Sequence, residues 1–209
     1  MEVFTQNFNN YGFLHCKFSN DDLAPVREEI QKIQTDFTAS QEMNSALIGN
    51  IEKEFKLVDS KNHLEQLVFP LLTHYDQAYD YIAHISVLSK NVPIVLKSAW
   101  VNFQLKHEFN PSHDHDGIFS FVIWTKIPYT RSGEDVSSPG KKSKENLAGA
   151  FEFQYTDALG RIQSHIIKVD DTMENICLVF PAKLRHAVYP FFSTDDFRIS
   201  VSGNFVFDV

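Results

Sequence analysis

Residues 112–128 read SHDHDGIFSFVIWTKIP. A polar turn with two histidines, His113 and His115, leads directly into an apolar run that is typical of a strand. In extended backbone, residues i and i+2 point to the same side, so both imidazoles can face one ion while Asp114 and Asp116 point away. Imidazole binds iron, copper, nickel and zinc. The turn is therefore a candidate metal site, and a solvated polar turn is the alternative.

The apolar run belongs to a series of short strands in the second half of the chain. Patterns of apolar and β-branched residues predict strands at 94–105, 117–127, 149–155, 161–169, 175–180 and 197–207. Asp157 to Gly160 is predicted to be a hairpin turn, whereas 130–146 is rich in Ser, Lys and Gly and is expected to be an exposed, mobile loop. Short strands at this spacing indicate a sandwich or a barrel, and the 19 Phe residues also favour β structure.

The first half of the chain has a helical pattern instead. Apolar residues at spacings of three and four predict a helix through Leu23, Val26, Ile30, Ile33 and Phe37. A second helical run follows Ser60, and Pro70 is expected to bend or restart it. We therefore expect a single domain over residues 1–209, mainly helical at 1–91 and with a β-barrel core at 92–209.

Charge and composition narrow the class of protein. The net charge of −8 argues against a general phosphate-backbone binder, because such a protein needs a basic face. The opening residues MEVFTQNFNN do not resemble a signal peptide, and no apolar run approaches the ~20 residues of a membrane helix. Cys16 and Cys177 lie in apolar stretches and are expected to be small buried side chains. We expect a cytoplasmic protein with no membrane partner, and nucleic acid is disfavoured as a partner.

Two further features lie downstream of the histidine pair. His186 lies in FPAKLRHAVYPF at 180–191, just past an apolar strand, where it is either a metal ligand or a structural histidine. Arg198 and Ser200 share one face of the last predicted strand. An arginine that points into a barrel needs an anion, because a buried unpaired charge is costly, and its planar fork fits a carboxylate. A structural ion pair with an acidic residue is the alternative.

The order of these features resembles that of a known family. The stretches SHDHDGIFSFVIWTKIP, FPAKLRHAVYPF and RISVSGNF are similar to those of the 2-oxoglutarate/iron(II)-dependent oxygenase-like proteins found in bacteria and in tailed phages of marine bacteria. The resemblance covers about residues 94–207. It implies an α+β, mainly β chain folded as a double-stranded β-helix, or jelly-roll barrel, with N-terminal helices packed on one sheet. It also implies an Fe(II)- and 2-oxoglutarate-dependent dioxygenase of the hydroxylase type.

The resemblance assigns roles to individual positions. His113 is implied as the first iron ligand and His186 as the distal ligand, while Arg198 and Ser200 are implied to bind the far carboxylate of 2-oxoglutarate. The chain departs from the family at the middle ligand, where the usual carboxylate is replaced by His115. Either three histidines bind the metal, or Asp116 restores the carboxylate. We favour His115, because its spacing from His113 places it on the same face.

Two other functions remain open at this level. A cupin-like metal-dependent dioxygenase or isomerase would keep the three histidines and give Arg198 a structural role. A non-enzymatic barrel would use the same fold as a binding module. If the oxygenase interpretation holds, the partners are 2-oxoglutarate, molecular oxygen and a substrate that the sequence does not identify.

Overall fold

The structure is a computed structural model that describes residues 2–4, 10–85 and 92–208. The strands are β1 (Leu14–Lys17), β2 (Glu54–Lys56), β3 (Ile94–Gln104), β4 (Asn110–His113), β5 (Phe119–Lys126), β6 (Phe151–Thr156), β7 (Ile162–Ile167), β8 (Ile176–Pro181), β9 (Arg185–Val188) and β10 (Arg198–Phe207). The α-helices are α1 (Ala24–Thr35), α2 (Lys61–Tyr79), α3 (Tyr81–Ile85) and α4 (Arg131–Ser137). All six predicted strands are therefore present, within a few residues of their predicted bounds.

The strands form two antiparallel sheets. The larger sheet has six strands in the order β1-β8-β5-β10-β3-β2, and the smaller has four in the order β4-β9-β6-β7. The predicted hairpin is confirmed, because β6 and β7 pair around Asp157 and Gly160, where Gly160 has a φ of 77°. A left-handed φ of this kind favours glycine. Both β1 and β2 come from the mainly helical first part of the chain, yet they complete the larger sheet.

The helices pack on the larger sheet, as predicted. Helix α2 contacts β3 and β8, and α1 packs against α2. The apolar stripe of α1 is buried at Val26, Ile30 and Ile33, and a proline in the first turn is compatible with this helix. The facing side of the sheet supplies apolar side chains that alternate along each strand, among them Val101, Phe103, Phe121, Ile123, Ile199 and Val201. Each such side chain stabilises the fold by about 1.5–3 kcal/mol when fully buried.

Strand alternation therefore divides β10 between two environments. Ile199 and Val201 belong to the apolar core beneath the helices. Arg198, Ser200 and Ser202 line a cavity on the other side of the sheet. The packing of the helices thus determines which side chains of the last strand are available for chemistry.

Two local expectations need correction or refinement. Helix α2 continues through Pro70 and does not restart there. Within the predicted loop at 130–146, residues Arg131–Ser137 form α4, whose fully buried Glu134 accepts hydrogen bonds from the backbone of Phe192 and Ser193. The segment is thus anchored at one point, while its mobility and the single-domain organisation stay predictions. Among the described helices, none has the length and apolar character needed to cross a bilayer.

Candidate active site

Three histidines meet at one end of the cavity. Strands β4 and β9 place His113 and His186 directly opposite each other in the smaller sheet. His115 follows β4 by two residues, and its backbone N–H donates to the carbonyl of Ala182 at 2.9 Å. One ligand nitrogen from each of the three imidazoles lies within 4.8 Å of the other two. This spacing can accommodate one metal ion that all three imidazoles bind.

The backbone fixes the orientation of two of the rings. Nδ1 of His113 lies 2.7 Å from the carbonyl oxygen of Pro111, and Nδ1 of His186 lies 3.0 Å from that of Leu184. A carbonyl oxygen can only accept, so each Nδ1 carries the proton and donates it. The neutral ring then keeps its lone pair on Nε2. Histidines that ligate metals are commonly held in this way through the other ring nitrogen.

Burial keeps the three imidazoles neutral. It lowers the pKa of His115 to about 4, with a further contribution from nearby His113. Burial also lowers the pKa of His113 and, more strongly, that of His186. Only a neutral imidazole offers a lone pair to a metal, so these rings are in the protonation state that a metal requires.

The carboxylates of the two aspartates of the turn pair with basic side chains. Asp114 forms salt bridges with Lys183 and Arg185 at 3.2 and 3.4 Å. The side chain of Asp116 is 93% exposed, and its carboxylate lies 3.6 Å from Lys183. The alternation predicted from sequence thus matches the structure: the His113 and His115 rings adjoin, and the carboxylates lie on the rim.

Arg198 is buried at another end of the same cavity and is only 2% exposed. Its Nε and Nη2 both donate to Oε1 of Gln104, at 3.0 and 2.5 Å. Its Nη1 donates to the hydroxyl of Tyr129 at 2.7 Å and to the carbonyl of Gly149 at 2.8 Å, and Nη2 also donates to the carbonyl of Tyr189 at 3.2 Å. All of these acceptors are neutral. Within the described part of the chain, Arg198 forms no salt bridge.

The cavity connects the histidines to Arg198 and has a volume of about 510 Å³. This size lies within the range of small-molecule sites. Ser200 lines the cavity, and its Oγ accepts a hydrogen bond from Nδ2 of Asn102 at 3.2 Å. The hydroxyl hydrogen of Ser200 therefore remains available to a ligand. Apolar walls lie close to the histidines, for example Phe151, whose ring stacks on that of His186 at a centroid distance of 5.4 Å.

Sequence reasoning missed several residues of this cavity. Gln104 could have been found, because it lies two positions after Asn102 on a predicted strand and so shares its face. Tyr129 follows a strand and carries no local signal. Glu54 lies on β2, a strand of three residues in a segment without a clear pattern. Strands β4 and β9 were also missed, because each has only four residues.

Comparison with known proteins gives a family match. A family model described as "Putative 2OG-Fe(II) oxygenase" matches residues 98–204, which is just over half of the chain and includes all three histidines and Arg198. A search of curated proteins gave no match.

Solved structures share the fold at low sequence identity. A Pseudomonas putida prolyl-4-hydroxylase superposes with a TM-score of 0.58 and 11% identity, over 95% of this chain and 94% of that chain. The viral collagen prolyl hydroxylase of Paramecium bursaria Chlorella virus-1, solved with 2-oxoglutarate, superposes with a TM-score of 0.51 and 10% identity, over 92% of this chain and 94% of that chain. The 2-oxoglutarate-dependent epimerase SnoN of nogalamycin biosynthesis superposes with a TM-score of 0.52 and 13% identity, over 94% of this chain and 76% of that chain. These likenesses confirm the predicted double-stranded β-helix fold.

Proposed function

Because the chain belongs to the 2OG-Fe(II) oxygenase family, we propose that His113, His115 and His186 hold its Fe(II) and that Arg198 and Ser200 bind 2-oxoglutarate. Membership in the family makes the chain a dioxygenase that uses Fe(II), 2-oxoglutarate and molecular oxygen.

The observation that carries the proposal is the environment of Arg198. A buried guanidinium that meets only neutral acceptors keeps its full positive charge. Such a charge is costly unless an anion compensates it. A carboxylate is the matching ligand, because it supplies the missing negative charge and can replace one or more of the neutral acceptors that now take all five N–H groups of Arg198. The hydroxyl of Ser200, on the same face of β10, supplies a further donor.

The metal site is supported by its donor set. Three neutral imidazoles at mutual nitrogen distances within 4.8 Å suit iron(II) and other first-row metals. The three imidazoles supply no negative charge. The positive charge of Fe(II) is therefore left to be balanced by the anionic groups of 2-oxoglutarate. We propose His115 as the middle ligand in place of Asp116, whose exposed carboxylate is directed to Lys183.

The side chains of the cavity orient the reactants and exclude water. When bound, Fe(II) with 2-oxoglutarate and oxygen supplies the oxidising chemistry, which yields succinate, carbon dioxide and a hydroxylated substrate. Arg198 and Ser200 hold the far end of 2-oxoglutarate, so that its 2-oxo acid end extends toward the histidines. Phe151 and Phe180 pack against His186, with ring centroids 5.4 and 5.0 Å away, and keep water from that side of the site.

We further propose a cytoplasmic location and a substrate that is not a nucleic acid. Cys16 and Cys177 are both free thiols, which is typical of a reducing compartment. The net charge of −8 opposes attraction to a polyanion. The fold is shared with both hydroxylases and an epimerase, so it does not by itself identify the reaction. We propose that the reaction is a hydroxylation.

The direct test is formation of succinate from 2-oxoglutarate with added Fe(II). Even without a primary substrate, slow uncoupled turnover is expected in the wild-type protein. Arg198→Ala should lose it through weaker binding of 2-oxoglutarate, and His186→Ala through loss of metal. Wild-type protein that binds neither Fe(II) nor 2-oxoglutarate would refute these assignments.

A further inference from the structure

The cavity has a third polar region besides the histidines and Arg198. It is centred on Glu54, which lies on β2 directly opposite Asn102 on β3, so that the two side chains lie side by side on the wall of the cavity. Asn110 lines the same cavity from β4. None of these three residues is proposed above to contact Fe(II) or 2-oxoglutarate, and Asn102 takes part there only by donating to the hydroxyl of Ser200.

Glu54 is a buried acid with little compensation. It is 3% exposed, and its carboxylate accepts one long hydrogen bond, from Nδ2 of Asn44 at 3.5 Å. Among the described residues, no lysine, arginine or histidine forms a salt bridge with it. Burial, with a smaller contribution from Glu108, raises the pKa of Glu54 to about 7. A carboxylate in this state is stabilised by a cation that enters the cavity.

The two asparagines add hydrogen-bond acceptors that lack donors. Asn102 is 6% exposed, and its Nδ2 donates to the carbonyl and the hydroxyl of Ser200 at 3.4 and 3.2 Å. The carbonyl of Ser200 can only accept, which fixes the amide orientation and leaves Oδ1 of Asn102 as an acceptor. Oδ1 of Asn102 and Oδ1 of Asn110 are both buried without a hydrogen-bond partner in the described part of the chain. Buried polar atoms are rarely left unsatisfied, so the unmatched Oδ1 of Asn102 on the cavity wall points to a missing donor, whereas Oδ1 of Asn110 is packed against Gly49.

We propose that Glu54 and Asn102 form the recognition site for the primary substrate and bind a protonated primary amine of that substrate. The inference rests on the proposed function, since it assigns the substrate class of the same cavity. An ammonium group offers three N–H donors and one positive charge. These match an amide oxygen without a donor and a carboxylate without a counterion.

The rest of this region suits the hydrocarbon part of such a substrate. The segment that precedes β2 contributes apolar side chains to the cavity wall, namely Met43, Leu47 and Ile51. An alkyl chain can therefore pack beside Glu54 while its amine meets the acceptors. The substrate class that fits is a small aliphatic amine or the side chain of lysine.

The test compares an amine with a neutral molecule of the same shape. Pentylamine and 1-pentanol are each titrated, near pH 8, into protein loaded with Mn(II) and 2-oxoglutarate, and binding is followed by calorimetry and by NMR. The wild type should bind the amine at least about tenfold more tightly than the alcohol. Glu54→Gln should abolish this preference. Glu52→Gln is the matched control, because Glu52 lies two residues away with its side chain 76% exposed, and this variant should keep the preference.

The outcomes separate this inference from the proposed function. Equal binding of the two probes by the wild type, absence of amine binding, or a preference that survives in Glu54→Gln would each overturn the inference. If the wild type fails to bind Mn(II) or 2-oxoglutarate, the proposed function fails instead. Free lysine and N-acetyl-lysine amide are then titrated in the same way, and tighter binding of one shows whether the amine belongs to a free amino acid or to a peptide.

Discussion

Gln104 and Arg198 face each other across β3 and β10, and a single oxygen of Gln104 accepts hydrogen bonds from both Nε and Nη2 of the guanidinium, at 3.0 and 2.5 Å. A neutral amide thus occupies the position in which a structural ion pair would place a carboxylate. The arginine is held in place, yet its charge is not neutralised. This neutral pairing supports the proposal that Arg198 binds an anionic ligand.

Changing Gln104→Glu should convert the site into a structural ion pair. The new carboxylate would have almost the shape of the amide and would neutralise Arg198 from within. We expect the affinity for 2-oxoglutarate to fall at least about tenfold, because the ligand must then displace a charged partner. Calorimetric titration of 2-oxoglutarate into the Mn(II)-loaded variant measures this. Gln31→Glu, on the exposed face of α1, adds the same charge away from the cavity and should change nothing. Undiminished affinity in Gln104→Glu would mean that 2-oxoglutarate does not use Arg198.

Arg198 itself can be removed in two steps. Arg198→Ala should weaken 2-oxoglutarate binding by about 2–5 kcal/mol, since a buried charge-assisted pair is lost. Arg198→Lys should recover only part of this, because a point charge cannot reproduce the planar fork. Metal affinity should change little in either variant, and a parallel Mn(II) titration provides that check. Equal 2-oxoglutarate affinity in all three proteins would remove Arg198 from the site.

The identity of the middle ligand is tested by a pair of neighbouring substitutions. His115→Ala should lose far more metal affinity than Asp116→Ala, because the His115 ring adjoins His113 whereas the Asp116 carboxylate lies on the exposed rim. Anaerobic Fe(II) titration of both variants decides between them. If Asp116→Ala proves the weaker binder, the site contains two histidines and one carboxylate.

The buried Glu54 should make the stability of the fold depend on pH, and this can be tested without any ligand. Its pKa of about 7 in the folded state exceeds the value of about 4.3 in an unfolded chain. The folded state therefore binds this proton more tightly and loses stability as the pH rises between these two values. Glu54→Gln cannot ionise, so it should match the wild type near pH 4 and exceed it by about 1–3 kcal/mol near pH 8. Urea unfolding at both pH values measures the difference. The control Glu52→Gln should show no such gain in the free energy of unfolding. If Glu54→Gln also shows no gain, the carboxylate of Glu54 is well compensated in the folded protein.

Much of the fold follows from local pattern. Alternation on a strand is a local property, so the common face of Arg198 and Ser200 and the like orientation of His113 and His115 were both predicted from spacing. The stripe on α1 and the hairpin at Asp157 are equally local. The family resemblance supplied the expectation that these distant segments meet at one site.

What sequence could not supply depends on contacts between distant segments. Glu54 is opposite Asn102 only because a three-residue strand joins the edge of the larger sheet, and so short a strand has no detectable period. Gln104 and Tyr129 meet Arg198 from two separate parts of the chain. His186 was expected just past a strand, whereas it lies within β9 as the cross-strand partner of His113. Pairing between short strands is decided by tertiary packing, which overrides weak local preference.

The central claim is that three histidines form one iron site, and anaerobic titration of Fe(II) into His186→Ala tests it most directly. His165→Ala is the matched control, because His165 and His186 flank Phe153 on opposite sides of β6, yet His165 is exposed. We predict one Fe(II) per chain for the wild type and for His165→Ala, and a loss of affinity of about 100-fold or more for His186→Ala, with circular dichroism showing that the variant remains folded. Unchanged Fe(II) affinity in folded His186→Ala would contradict the assignment of the three histidines as the iron site.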